Sequence, residues 1–297
     1  MKLKDSYHPY AIITIIFWSL AYSFTKLALM HFTAFSLGFL RYLTASVTLI
    51  IISLFIKIEI PKRKDIPMFI AAGASGFFLY MVTFNKGAES VSSATGSVII
   101  ATAPLITALI ARFIYNEKLS AYQWAGIIIQ FSGVLILTLM DGVFSINKGL
   151  IWLFGAAVAL SIYNLIQRKL TQTYTAIQTS AFSIYFGTVM LAVFLPSSVE
   201  EVSTASASQL FNIIVLGVFS SAVAYITWSK AFSKAEQTSQ VSNYMFITPF
   251  TTSIISFLII GEIPDKATLI GGAVILFGIF IFNFAERIQK YTRRPTV

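Results

Sequence analysis

The 297-residue chain has no cysteine, only two histidines, and charge on just 11% of its residues. Without cysteine there is no disulfide, no thiolate nucleophile and no Cys-ligated metal. His8 and His31 fall in expected surface segments with no carboxylate cluster beside them, which makes a poor metal site, so both read as interfacial residues and no metal or cofactor is expected. Soluble domains carry about 25% charged residues, and the shortfall here is matched by a 57% hydrophobic content and a mean hydropathy of +0.79. A soluble core cannot absorb that much apolar surface. The solvent this sequence is written for is the lipid bilayer.

A membrane helix needs about 20 predominantly apolar residues. The sequence predicts such spans at 9–29, 35–56, 67–87, 93–115, 122–140, 149–168, 177–195, 208–230, 239–261 and 267–285. The breaks between them are short and leave no room for a soluble domain. Pro9 and Pro67 fall where a first helical turn tolerates a missing N–H. The first span is too long for a signal-peptide core and another span follows it, so it is expected to be retained.

Of 21 Lys and Arg residues, Lys26 and Arg41 lie clearly inside spans, away from the cytoplasmic ends. Three occupy the loops opposite the N-terminus (Lys86, Lys148 and Lys266), and the other sixteen lie on the N-terminal side. Cytoplasmic loops are the ones enriched in Lys and Arg, which predicts cytoplasmic termini in a multi-pass protein of the plasma membrane, the inner membrane in a bacterium. The net charge of +9 is therefore an orientation signal facing anionic lipid. It is not the folded basic face that nucleic acid requires.

The chain repeats itself. An offset of 145 aligns Pro104 with Pro249, Glu117 with Glu262, Gly126 with Gly271, Gly133 with Gly278 and Tyr80 with Tyr225. An offset of 142 aligns Ser19 with Ser161 and Lys26 with Arg168. The expected units are 1–145 and 146–297, each with five spans. Because five is odd, the second unit must enter the membrane upside down, and the loops agree: KIEIPKRKD joins spans 2 and 3, whereas PSSVEEVSTASAS, without Lys or Arg, joins spans 7 and 8. The fold class expected is all-α and integral to the membrane, ten transmembrane helices as two inverted-topology five-helix repeats. Inverted repeats of this kind are a recurring plan of secondary transporters.

Three segments, FWSLAYSFTKLAL at 17–29, ATAPLITALIARFIYNEKLSAYQWAGIIIQFSGVLIL at 101–137 and FITPFTTSIISFLIIGEIPDKATLIGGAVILFGIFIF at 246–282, resemble the EamA family of the drug/metabolite transporter superfamily. The resemblance covers nearly the whole chain. It implies a helical bundle around a central substrate pathway and the export of small metabolites, often amino acids, without identifying the cargo.

Helical spacing puts Ser19, Tyr22 and Lys26 on one face of span 1 and Ser161, Asn164 and Arg168 on the matching face of span 6. Span 3 offers Gly76, Tyr80 and Thr83, span 8 offers Ser221, Tyr225 and Trp228, and span 9 offers Gln240, Asn243, Tyr244 and Thr248. With Thr102, these stripes are the candidate substrate pathway, since polar groups in lipid-length helices gather in a shared wet interior; the alternative is that they hydrogen-bond helix to helix without touching cargo. A cation at a helix centre costs roughly 2.5–3.5 kcal/mol, although the stems of Lys26 and Arg41 are long enough to snorkel to the interface. Pro104 and Pro249 interrupt the hydrogen-bond ladder in mid-span, which makes them either hinges or static kinks.

Gly73 to Gly76 spell the GxSG of rhomboid intramembrane proteases, but no histidine follows His31 to deprotonate Ser75. No P-loop, HExxH or embedded carboxylate pair occurs either, so no enzyme is expected. Small multidrug transporters use a first-helix glutamate to exchange protons for cationic drugs, and span 1 has no acid. A small-molecule cargo bearing a carboxylate suits Lys26 and Arg168 better. The oligomeric state is not legible.

Overall fold

A computed structural model describes residues 6–115, 120–139, 148–235 and 241–292, which form helices and no strand. We label the helices α1 (His8–Leu29), α2 (Ala34–Ser53), α3 (Arg63–Ala88), α4 (in two pieces, Ser93–Ile100 and Ala103–Tyr115), α5 (Ala121–Leu139), α6 (Lys148–Leu170), α7 (Ala176–Ser203), α8 (Ala207–Lys234), α9 (a 3-10 stretch Asn243–Ile247 leading into Thr248–Ile260) and α10 (Lys266–Thr292). Among the described residues seven helices are long and apolar enough to cross a membrane, and two further apolar segments, Tyr244–Ile260 and Thr268–Phe282, are shorter.

Local chemistry explains several helix ends. Thr33 and Thr175, 142 residues apart, cap α2 and α7 by accepting from the N–H of Ser36 and Gln178, and Thr175 completes a capping box with Gln178. Ser92 and Ser206 cap α4 and α8 in the same way. Carboxylates reinforce two of these ends, where they meet the positive end of the helix dipole. Glu201 accepts from the Thr33 N–H at 2.8 Å and from the Ser36 hydroxyl at 2.8 Å, and Glu262 accepts from the Ser93 N–H at 3.1 Å.

The bundle buries many polar side chains among its apolar core and turns large apolar side chains outward. Thr14, Ser19, Ser23, Ser161, Asn164 and Gln167 are fully buried, whereas Val189 is 72% exposed and Phe250 59%. Hydroxyls join neighbouring helices, as between Ser23 and Ser256 (2.8 Å) and between Thr14 and Thr227 (2.7 Å).

Each half packs largely against the other, and the contacts come in reciprocal pairs. Helix α3 lies on α6 and α7, and α8 lies on α1 and α2; α4 packs on α6, and α9 on α1. A methyl at Gly126 would lie 2.7 Å from the carbonyl of Gly278, and one at Gly133 would lie 2.8 Å from that of Gly271. Glycine is required at such close crossings. These contacts also give direction, since moving up α5 from 126 to 133 moves down α10 from 278 to 271, so the two repeat-related helices run antiparallel. Ser46 and Thr188, 142 residues apart, hydrogen-bond directly at 2.8 Å, which places α2 and α7 side by side where the halves meet.

Two helices depart from α geometry at matching places. Residues Ala74–Leu79 of α3 and Val218–Val223 of α8 form π-helical turns, followed immediately by Tyr80 and by Ala224 and Tyr225. The α4 helix breaks at Ala101 and Thr102, and α9 begins as a 3-10 stretch. Pro104 and Pro249 both occupy the first turn of the segment that resumes after these irregularities. Within a membrane, irregular backbone is tolerated where it is buried in protein or lines a cavity.

Candidate functional site

The α4 break and the 3-10 start of α9 line one cavity, and Tyr80 and Tyr225, just past the two π turns, reach it as well. Its wall carries Trp18, Ala21 and Tyr22 of α1, Arg41 of α2, Tyr80 and Phe84 of α3, Ile100 and Ala101 at the α4 break, Leu160 of α6, Tyr225 of α8, and Met245 and Thr248 of α9. The wall respects the repeat: the 145 offset relates Tyr80 to Tyr225 and Ile100 to Met245, and the 142 offset relates Trp18 to Leu160. The free volume is about 20 Å³, little more than the roughly 10–15 Å³ that one water requires. The free space suits a water molecule and not a metabolite.

Tyr225 is the centre of an aromatic cluster. Its ring lies 4.8 Å from Phe77, 5.3 Å from Trp18, 5.7 Å from Tyr163 and 6.5 Å from Tyr42, centroid to centroid. Tyr22 meets Phe84 edge-on at 5.3 Å and Tyr80 stacks on Phe84 at 5.5 Å. Trp228 is buried beside Trp18 at 4.8 Å and donates its indole N–H to Asn164 Oδ1 at 3.2 Å, while Asn164 Nδ2 has no partner.

Arg41 is the charged group in this wall. It is 3% exposed and does not snorkel to the interface, so the stem that sequence length allowed to reach outward points inward instead. Nε donates to Ser221 Oγ at 2.7 Å, Nη2 to the Ser220 carbonyl at 3.2 Å, and Nη1 to the Met81 sulfur at 3.9 Å. The π turn makes the carbonyl available, because the Ala224 N–H reaches the carbonyls of Phe219 and Ser221 in place of the Ser220 carbonyl that an α-helix would engage. Among the described residues no carboxylate pairs with Arg41, and the ion pairs are Lys57 with Glu59 and Lys86 with Glu89.

The residues expected from sequence to line a pathway divide into two groups. Tyr22, Tyr80 and Tyr225 line the cavity, with Ser221, Trp228 and Asn164 directly behind it. Ser19 is engaged with Thr251 (2.5 Å), Ser161 with the carbonyls of Ala103 and Ala157, and Thr102 with that of Ile99, all as helix-to-helix or local bonds. Thr83 bonds back to Leu79 on its own helix. Tyr244 bonds His8 at the start of α1. Lys26 and Arg168 sit in the last turns of α1 and α6 and do not line the cavity. Pro104 and Pro249 are buried just beyond the cavity-lining residues, Pro104 three residues after Ala101 and Pro249 directly after Thr248. The Asn243 side chain lies outside the described residues, as do Glu117 and Gln240. Arg41 was visible in sequence as one of two embedded cations. Its depth was legible, but not the face it occupies.

Both halves match one family model, that of the EamA-like transporter family, over residues 6–139 and 147–284. The chain belongs to the EamA-like transporter family. Among its relatives, an uncharacterized transporter of Bacillus subtilis is 31% identical over 92% of this chain and 94% of that one. A probable terminal-alkyne amino-acid exporter of Streptantibioticus cattleyicolor is 26% identical over 92% and 91%. An S-adenosylmethionine uptake transporter of Rickettsia bellii is 24% identical over 86% and 85%. A solved crystal structure aligns with a TM-score of 0.65 over 95% of this chain and 97% of its own at 18% identity, a likeness of fold. The EamA-like chain is accordingly a multi-pass membrane protein of a transporter family.

Proposed function

We propose that this EamA-like protein is a secondary carrier, not an enzyme, that exports small metabolites such as amino acids by alternating access. In this reading residues 1–145 and 146–297 cross the bacterial inner membrane five times each with opposite orientation, and both termini are cytoplasmic. The observation that carries it is the water-sized cavity at the meeting of the halves, walled by repeat-related residues, by the α4 break and the start of α9, and by the tyrosines just past the two π turns. Irregular helices at a repeat interface are where carriers bind cargo, and exchange of conformation between the halves opens such a site to alternate sides. The antiparallel crossing of α5 and α10 supports the inversion, and the proline-led segments of α4 and α9 are the hinges we assign to the motion. The name of the Streptantibioticus relative supports amino-acid export.

The test is efflux from vesicles containing the purified protein and loaded with the protein amino acids. At least one should leave faster than from protein-free vesicles. Absence of protein-dependent loss of every amino acid would contradict the cargo. A second reading, uptake, draws on the Rickettsia relative's name, and S-adenosylmethionine entering empty vesicles would favour it.

A further inference from the structure

We propose that Arg41 is the cargo-binding cation of this carrier, and that it selects a cargo with a free carboxylate; the inference rests on the carrier reading above. A guanidinium carries five N–H donors and cannot be deprotonated in a protein. Here three donors have acceptors, and one of those is a thioether sulfur at 3.9 Å. The remaining two have none among the described residues, in a side chain that is 97% buried and lies in the cavity wall. A buried cation surrounded by hydroxyls, a carbonyl and aromatic rings is electrostatically incomplete, and the missing element is an anion.

The chemistry of the wall points to a carboxylate. A planar fork of N–H groups matches two carboxylate oxygens, and the Thr248 hydroxyl, which lines the same cavity and has no hydrogen-bond partner, is available to the same group. Aromatic rings from Trp18, Tyr22, Phe84 and Tyr225 form much of the remaining wall and would hold an apolar portion.

The repeat itself argues that the charge is not needed for the fold. The 142 offset places Ser183 of α7 where α2 has Arg41, and the contacts agree: a methyl at Gly217 would approach the Arg41 carbonyl at 2.9 Å, and one at Gly73 would approach the Ser183 carbonyl at 3.0 Å. The same helix crossing is built once with a cation and once with a serine whose hydroxyl has no partner.

Vesicles containing the full-length protein are loaded with the protein amino acids together with their C-terminal amides, which keep the side chain and lose the carboxylate. Wild type should release at least one acid about tenfold faster than its amide, the discrimination of one charge-assisted pair. Arg41→Gln should bring that ratio near one by slowing the acid, Arg41→Lys should keep part of it, and Ser221→Ala, which leaves the charge in place, should keep most of it. Amides released as fast as acids by wild type would overturn the inference while leaving the carrier reading intact, and this arm does not depend on any variant folding. An unchanged ratio in folded Arg41→Gln would overturn it equally. Release of neither acids nor amides by wild type would remove the amino-acid cargo and this inference together.

Discussion

The two π turns are the same backbone device used in two ways. In α3 the turn Ala74–Leu79 faces α6 and α7 and is filled by rings: Tyr163 packs over Gly76, Phe77 lies against Gly187, and Ser183 is left with a hydroxyl that bonds nothing. In α8 the turn Val218–Val223 faces α1 and α2 and is filled by polar groups: Ser220 donates to the Phe17 carbonyl at 2.8 Å, and Ser221 and the Ser220 carbonyl hold Arg41. The duplicated part is the shape that lets one helix cross another closely while presenting a tyrosine to the cavity. What differs is the electrostatic content. Symmetry sets the matching backbone of the two turns, and departure from it sets what each turn holds.

The tyrosines that follow the two turns give the largest contrast. Tyr225 is 1% exposed and touches four other rings, so Tyr225→Ala should lower stability by about 3–5 kcal/mol, as for buried aromatic truncations. Tyr80 is only partly buried and stacks on Phe84 alone, so Tyr80→Ala should lower stability by roughly 0.5–1.5 kcal/mol. Thermal unfolding in detergent measures both, and both variants should transport more slowly. Equal losses of stability would mean that the two turns are packed alike after all.

The crossings come next. A side chain at Gly187 would meet Phe77, and one at Gly217 would meet Thr44 and the Arg41 carbonyl, so Gly187→Leu and Gly217→Leu should each destabilise by about 3 kcal/mol through overpacking. A tolerated change at one of them would break the equivalence of the crossings.

Replacing the cation should act in the opposite direction. Arg41→Met keeps the length of the side chain and removes an uncompensated buried charge, so it should raise stability by about 1–2 kcal/mol while slowing transport of carboxylate cargo, the trade expected when a strained site is functional. A loss of stability would show that the hydrogen bonds to α8 outweigh the burial of charge. The smallest effect is expected at the equivalent position: Ser183→Ala removes a hydroxyl with no partner and should shift stability by less than about 0.5 kcal/mol without altering transport.

Much of this architecture was legible. The 145 offset pairs Tyr80 with Tyr225 and Pro104 with Pro249 from sequence alone, because the two copies use those positions alike. The π turns were not legible. A proline announces a break by its missing N–H, but nothing in the composition of ASGFFL or VFSSAV announces a wider turn; Gly73–Gly76 spell a protease motif, whereas those glycines serve a helix crossing and the packing of Tyr163. Span 7 was expected to end at 195, yet α7 continues to Ser203, because Pro196 opens a further helical turn instead of ending the helix. That extension carries Glu201 to the start of α2. Lys26 and Arg168 had the right symmetry but sit at helix ends, where periodicity cannot separate a cavity wall from a loop margin. For Arg41 the sequence supplied the depth, and only the neighbours on α8 supplied the meaning.

The central claim, that the two halves lie inverted in one membrane, is tested most directly at the loops that the repeat makes equivalent. Lys64, just after the α2–α3 loop, and Thr204, between α7 and α8, are both exposed, and the chain has no native cysteine, so Lys64→Cys and Thr204→Cys can each be labelled with a membrane-impermeant thiol reagent on intact cells. The account predicts labelling at Thr204→Cys and none at Lys64→Cys until the membrane is opened. Labelling of both or of neither on intact cells would place equivalent loops on the same side and contradict the inversion.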